Sequence, residues 1–80
     1  MKTEKPILVY VKTKQDKKFN ALSSLKDFTY APTLMYASLI PYEKIERLKD
    51  WANSFKELCA KNEVQIELRQ YKGKAIYKVG

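Results

Sequence analysis

Residues 41–62 read PYEKIERLKDWANSFKELCAKN, and the fold is built outward from them. Ile45, Leu48, Ala52, Phe55 and Cys59 recur at i, i+3/i+4 spacing, with Trp51 and Leu58 widening the stripe. Pro41 suits a first helical position, because its missing N–H has no partner to lose there. Glu43 in the first turn complements the helix dipole. Glu43–Arg47 and Glu57–Lys61 are i,i+4 pairs in the favourable orientation, and Asn62 suits a C-terminus. The spacing predicts one long helix over 41–62, ~33 Å long at 1.5 Å per residue, enough to cross a sheet.

The flanks supply the sheet. Pro6 to Lys14 (PILVYVKTK) is rich in β-branched and aromatic residues and predicts a strand. Ile7, Val9 and Val11 share one face; Leu8, Tyr10, Lys12 and Lys14 share the other. Val64–Gln70 and Lys74–Val79 predict a hairpin around Lys72-Gly73. A two-residue loop pairs Leu68 with Tyr77 and Ile66 with Val79 on the inner side. It pairs Glu67 with Lys78, Arg69 with Ile76 and Tyr71 with Lys74 on the outer side. The opposite charges of Glu67 and Lys78 support this register. Lys72 is poorly suited to positive φ, so a bulged loop centred on Gly73 is an equal alternative.

Thr33–Ile40 (TLMYASLI) follows Pro32 and is apolar on both faces, as a central strand is. Phe19, Leu22, Leu25 and Phe28 recur every three residues and predict a short helix, with Ser23-Ser24 also permitting a loop. The expected fold is therefore α+β. It has about four mainly antiparallel strands with the 41–62 helix on one face, in the order β, short α or loop, β, α, β, β.

At 80 residues the chain makes one small domain, 1–80. It has 45% apolar residues and few Gly and Pro, which excludes a disordered chain. No apolar run approaches the ~20 residues that span a bilayer, so no membrane partner is expected. The short apolar stretch after Met1–Lys5 reads as a strand rather than a secretory signal. One cysteine allows no internal disulfide and fits a reducing, cytoplasmic setting.

Charge carries the functional reading. Sixteen Lys and Arg face nine Asp and Glu, net +7, and histidine is absent. Residues 1–18 hold six Lys against Glu4 and Asp16, and residues 64–80 hold Arg69, Lys72, Lys74 and Lys78 against Glu67. The whole excess thus belongs to the two ends of the chain. If those ends adjoin in the sheet, its outer face gathers Tyr10, Lys12, Lys14, Arg69, Tyr71, Lys72, Lys74 and Lys78. Cations for phosphates and flat rings for bases are what a nucleic-acid platform requires. The expected function is a non-enzymatic module binding DNA or RNA. Lys12, Lys14, Arg69, Lys72, Lys74 and Lys78 would contact phosphate, and Tyr10 and Tyr71 would stack.

The alternative is a protein-interaction module, either a homodimer or a compact inhibitor of the kind phages and mobile elements encode. Leu8, Ile76 and Met35 or Tyr36 would make the uncovered sheet face partly apolar. Enzymatic constellations are not evident. Cys59 lies on the apolar stripe with no histidine in the chain to activate it. Glu43, Glu46 and Asp50 share a helix face but are interspersed with Arg47 and Lys49, which reads as a solvated, ion-paired surface. No cofactor or metal is expected. The segment 72–79 echoes an RNA-recognition strand at Lys72-Gly73 and Ala75. Lys74 and Ile76 stand where its stacking aromatics belong, so no family is assigned.

Overall fold

The computed structural model describes residues 5–80; the sequence reading of Met1–Glu4 lies outside them. The fold is α+β, with a five-stranded antiparallel sheet in the order β3-β2-β1-β4-β5. The strands are β1 (Ile7–Lys12), β2 (Asn20–Ser24), β3 (Thr29–Tyr30), β4 (Gln65–Gln70) and β5 (Ala75–Val79). Two helices, α1 (Ile45–Asn53) and α2 (Lys56–Asn62), separate β3 from β4.

β1 occupies the centre because its alternation serves both of its neighbours. It pairs with β4 along its whole length, from Ile7 opposite Gln70 to Lys12 opposite Gln65. Residues opposite one another share a face. Ile7, Val9 and Val11 therefore join Leu68 and Ile66 on the inner side, where all five are buried. Val79 of β5 and Leu22 of β2 extend this layer, and Leu48, Ala52 and Cys59 of the helices close it. Leu58, counted on the helical stripe, is instead 55% exposed.

The 41–62 segment is not one helix. Residues Tyr42–Lys44 form a 3-10 turn, and the α-helix breaks between Asn53 and Lys56. Ser54 explains the break. Its hydroxyl donates to the Trp51 carbonyl at 2.6 Å, and the Phe55 N–H bonds Ala52 O, tightening the ladder to i→i−3. The bend lets both helices follow the twisted sheet. α2 ends at Asn62, as the sequence indicates, with Glu63 at φ 55 and the Val64 N–H bonded to Cys59 O.

Two predicted elements are replaced. The region predicted as a short helix over 19–28 instead forms the β2–β3 hairpin, adding two strands, while the strand expected over 33–40 is lost, so the count goes from four to five. The hairpin's turn is closed by the Asp27 N–H donating to Ser24 Oγ and by Phe28 at φ 55. The predicted strand over 33–40 is a 3-10 turn at Leu34–Tyr36 followed by an extended segment. This segment works as a wedge. β2 pairs with β1 only at Tyr10–Ala21 and Val11–Asn20. Beyond that point the Ser38 N–H bonds Leu22 O, its hydroxyl bonds Ser23 O at 2.6 Å, and Ile40 bridges Ile7. Residues 38–40 thus fill the gap where β2 leaves β1. The observed order is β, β, β, α, α, β, β.

The β4–β5 hairpin keeps the predicted pairs Ile66–Val79, Glu67–Lys78 and Leu68–Tyr77. A bulge then places Arg69 opposite Ala75 rather than Ile76. Gln70 N–H bonds Lys74 O in place of a Tyr71–Lys74 pair, and Lys72, not Gly73, takes the positive φ of 54.

Three side-chain-bearing residues, Phe28, Glu63 and Lys72, hold left-handed backbone conformations that cost L-residues about 1 kcal/mol or more. Glu63→Gly and Lys72→Gly are each expected to raise stability by about 0.5–1 kcal/mol, read as a higher urea midpoint with unchanged slope. No gain in either variant would show that these turns are not strained.

Candidate nucleic-acid interface

The outer face of the sheet is organised around Arg69. Strand alternation puts Tyr10, Glu67, Arg69 and Lys78 on this side, and Phe19, just ahead of β2, joins them two residues from Ala21. The Arg69 guanidinium lies 4.1 Å from the centroid of the Tyr10 ring and 5.1 Å from that of Phe19. Its Nε donates to Glu67 Oε1 at 2.6 Å. Glu67 is only 7% exposed, and Lys78 Nζ approaches its second oxygen at 3.9 Å. A buried carboxylate is thus balanced by two cations, one of which also lies over two aromatic rings.

This arrangement changes the roles read from sequence. Arg69 is largely committed to Glu67 and the two rings. Tyr10 presents one face to Arg69, so that face is closed to a base. Phe19, assigned to a helix by its spacing, is instead an outer-face aromatic. Its strict alternation with Ala21 through Asn20 was the available signal, and the helical period masked it.

Strand direction sorts the lysines into two groups. β1 and β4 are antiparallel, so the Lys12 end of β1 lies beside the start of β4, while the Tyr71–Lys74 loop lies beside Pro6. Tyr71 N–H donates to Pro6 O there, and Lys72 Nζ sits 5.4 Å from the Tyr71 ring centroid. At about 3.3 Å per residue, the Lys12 and Tyr71 levels are about 20 Å apart. One end therefore carries Lys12, Lys14, Lys17, Lys18 and Lys78. The other carries Lys72 and Lys74 with Tyr71. The predicted neighbours do adjoin, but their cations form a strip with two poles rather than one cluster. Lys17 and Lys18 sit in the exposed β1–β2 loop.

Two clefts flank the lysine-rich end. One, about 210 Å³, is lined on the outer side by Phe19, Gln65, Glu67 and Lys78. The other, about 420 Å³, is lined by Lys12, Lys14, Cys59 and Glu63 among others. Lys14 Nζ is 3.6 Å from Glu63, an exposed pair of small energetic weight. Burial pushes the Cys59 thiol above its ordinary value, which keeps it protonated and poorly nucleophilic near neutral pH. On the helices, Lys49 pairs with Glu46 within the acidic face.

The loop bearing Lys14, Lys17 and Lys18 is pinned by Asp16. Its Oδ2 accepts from the Thr13 N–H, the Thr13 hydroxyl and the Tyr30 hydroxyl, each at 2.9 Å. The Thr13 backbone bond, then the Thr13 and Tyr30 hydroxyls, hold the Asp16 carboxyl below its ordinary value. Burial, then Asp16 itself, pushes the Tyr30 phenol up.

Two outcomes follow from this geometry. Arg69→Ala leaves Glu67 buried with Lys78 as its remaining neighbouring cation and removes the stack, so a loss of about 1–3 kcal/mol in unfolding free energy is expected by urea titration. An unchanged midpoint would show that Glu67 is solvated. A lowered Asp16 value means the latch contributes fully above the unfolded carboxyl value of about 3.9 and is lost as pH falls through the folded one. Asp16→Asn should therefore reduce stability at pH 7, with the gap from wild type narrowing by pH 3. An equal gap at both pH values would refute the latch.

Comparison with protein-family models, with curated proteins and with solved structures finds no match to this chain. The functional reading rests on the geometry alone.

Proposed function

We propose that this protein is a non-catalytic module that binds single-stranded or duplex nucleic acid along the outer face of its sheet. The observation that carries the reading is the contact of Arg69 with Tyr10 and Phe19 on a sheet face that also bears Lys12 and Lys78, next to a loop carrying exposed Lys17 and Lys18. The lysines supply phosphate contacts. Phe19, at the rim of the 210 Å³ cleft, supplies an aromatic surface for a base. Lys72, Lys74 and Tyr71 engage the backbone about 20 Å further along, roughly the span of several nucleotides. Arg69 positions the rings and adds its charge without being a free phosphate ligand. Recognition of this kind is carried by charge and stacking, so it is largely independent of sequence and weakens steeply with salt.

Fluorescence anisotropy with labelled single- and double-stranded DNA and RNA checks the reading. Micromolar binding is expected at about 50 mM salt, falling at least tenfold by about 200 mM. Lys17→Glu/Lys18→Glu should weaken binding more than tenfold, and Phe19→Ala should weaken single strands more than duplexes. Lys72→Glu should cost less, because it contacts only the distal pole. Absence of binding at about 100 µM protein in low salt would end the proposal.

A further inference from the structure

The longest uncharged stretch of the chain is also its most exposed apolar one. Residues 28–42 contain no Asp, Glu, Lys or Arg, in a chain where such residues are 31%. Within them Leu34 is 52% exposed, Met35 84%, Tyr36 62% and Leu39 52%, with Phe28 and Tyr30 partly exposed beside them. A 3-10 turn has three residues per turn, so Leu34, Met35 and Tyr36 point in three different directions. All three are more than half exposed, so the turn presents large, mostly apolar side chains on several sides.

This projection is anchored, not slack. On one side the Ala31 N–H bonds Ala21 O; on the other Ser38 bonds Leu22 and Ser23 through its N–H and hydroxyl. Its neighbour is β3, a two-residue edge strand that carries none of the charged residues that usually guard a sheet edge. Together these side chains present on the order of 600 Å² of largely apolar surface, at the upper end of what a monomer normally exposes.

We propose that this segment, Tyr30 to Leu39, is the interface of a homodimer. Charge selects a second copy as the occupant. With a net charge of +7, two copies repel wherever their lysines face one another. The uncharged segment lets them meet without that cost. Its flanks, Lys26-Asp27 and Glu43-Lys44, each carry one cation and one anion. An acidic partner protein would be drawn instead to the lysines themselves, not to an uncharged projection. Burying both patches removes on the order of 1,200 Å², the low end of specific interfaces, so the dimer is a weak, concentration-dependent one. The inference stands apart from nucleic-acid binding, since the lysine-bearing outer face plays no part in it.

Sedimentation equilibrium of the full chain from about 5 to 500 µM, in about 0.3 M salt without nucleic acid, tests it. A monomer–dimer equilibrium with a dissociation constant in the micromolar range is expected. Met35→Glu and Leu39→Lys should each weaken it at least tenfold. Far-UV circular dichroism and the urea midpoint at low concentration should stay unchanged, because both side chains are more than half exposed. Lys74→Glu, at the opposite edge of the sheet, should leave the dimer intact. A chain that remains monomeric throughout the range overturns the proposal, as does a dimer that survives both substitutions.

Discussion

The β1–β4 ladder is the contact on which the rest of the structure depends. Six residues of each strand are paired without interruption, joining positions about 58 residues apart in the chain. Each pair that turns inward is apolar except Ile7–Gln70, and each that turns outward sets a member of the charged face. The same ladder thus sets two surfaces. One is the layer of Val9, Val11, Ile66 and Leu68 that receives Leu48, Ala52 and Cys59. The other is the row in which Tyr10 stands opposite Glu67 and Leu8 opposite Arg69. A one-residue slip would exchange them and bury Arg69 under the helices, which is why the register has no close competitor.

Much of this was legible in the residues. The alternation in ILVYVK can be satisfied in only one way if one face is buried, and β1 follows it. The β4–β5 register was legible down to Glu67–Lys78, since an opposed charge pair on the polar face and apolar pairs on the other point to the same alignment. It failed where a bulge intervened, because an extra residue opposite Arg69 leaves no mark on hydrophobic pattern. The helix boundaries at either end of 41–62 were close. The break at Ser54 was not visible, since it depends on a hydroxyl turning back onto its own helix.

The 19–40 region was misread for a different reason. Spacing of three in Phe19, Leu22, Leu25 and Phe28 arises from unlike environments: an outer-face ring, a core leucine, a second leucine packed at the core's edge and a strained turn residue. Likewise TLMYASLI is apolar throughout, and apolarity on all sides describes a central strand and an exposed projection equally well. What separates them is whether another segment packs on both faces, and among the described residues none does: Leu34, Met35, Tyr36 and Leu39 are each more than half exposed. For the candidate interface, adjacency of the two basic ends was readable, but strand direction was not weighed. Antiparallel pairing sends Lys12 and Lys74 to opposite ends even though their strands lie within one sheet.

Phe28 adds a second link between the β2–β3 hairpin and the helices, beyond the shared core at Leu22. It stacks on Trp51 at 5.5 Å between ring centroids and meets Phe55 edge-on at 5.2 Å, while Trp51 and Phe55 touch at 5.3 Å. The tip of the β2–β3 hairpin is thereby fastened to the site where α1 gives way to α2. Two short strands that would fray easily alone are tied to the helical layer, and the unfavourable backbone angle at Phe28 is held in place by that three-ring contact. Opening of the hairpin tip therefore costs the helix junction two ring contacts, which couples the two segments.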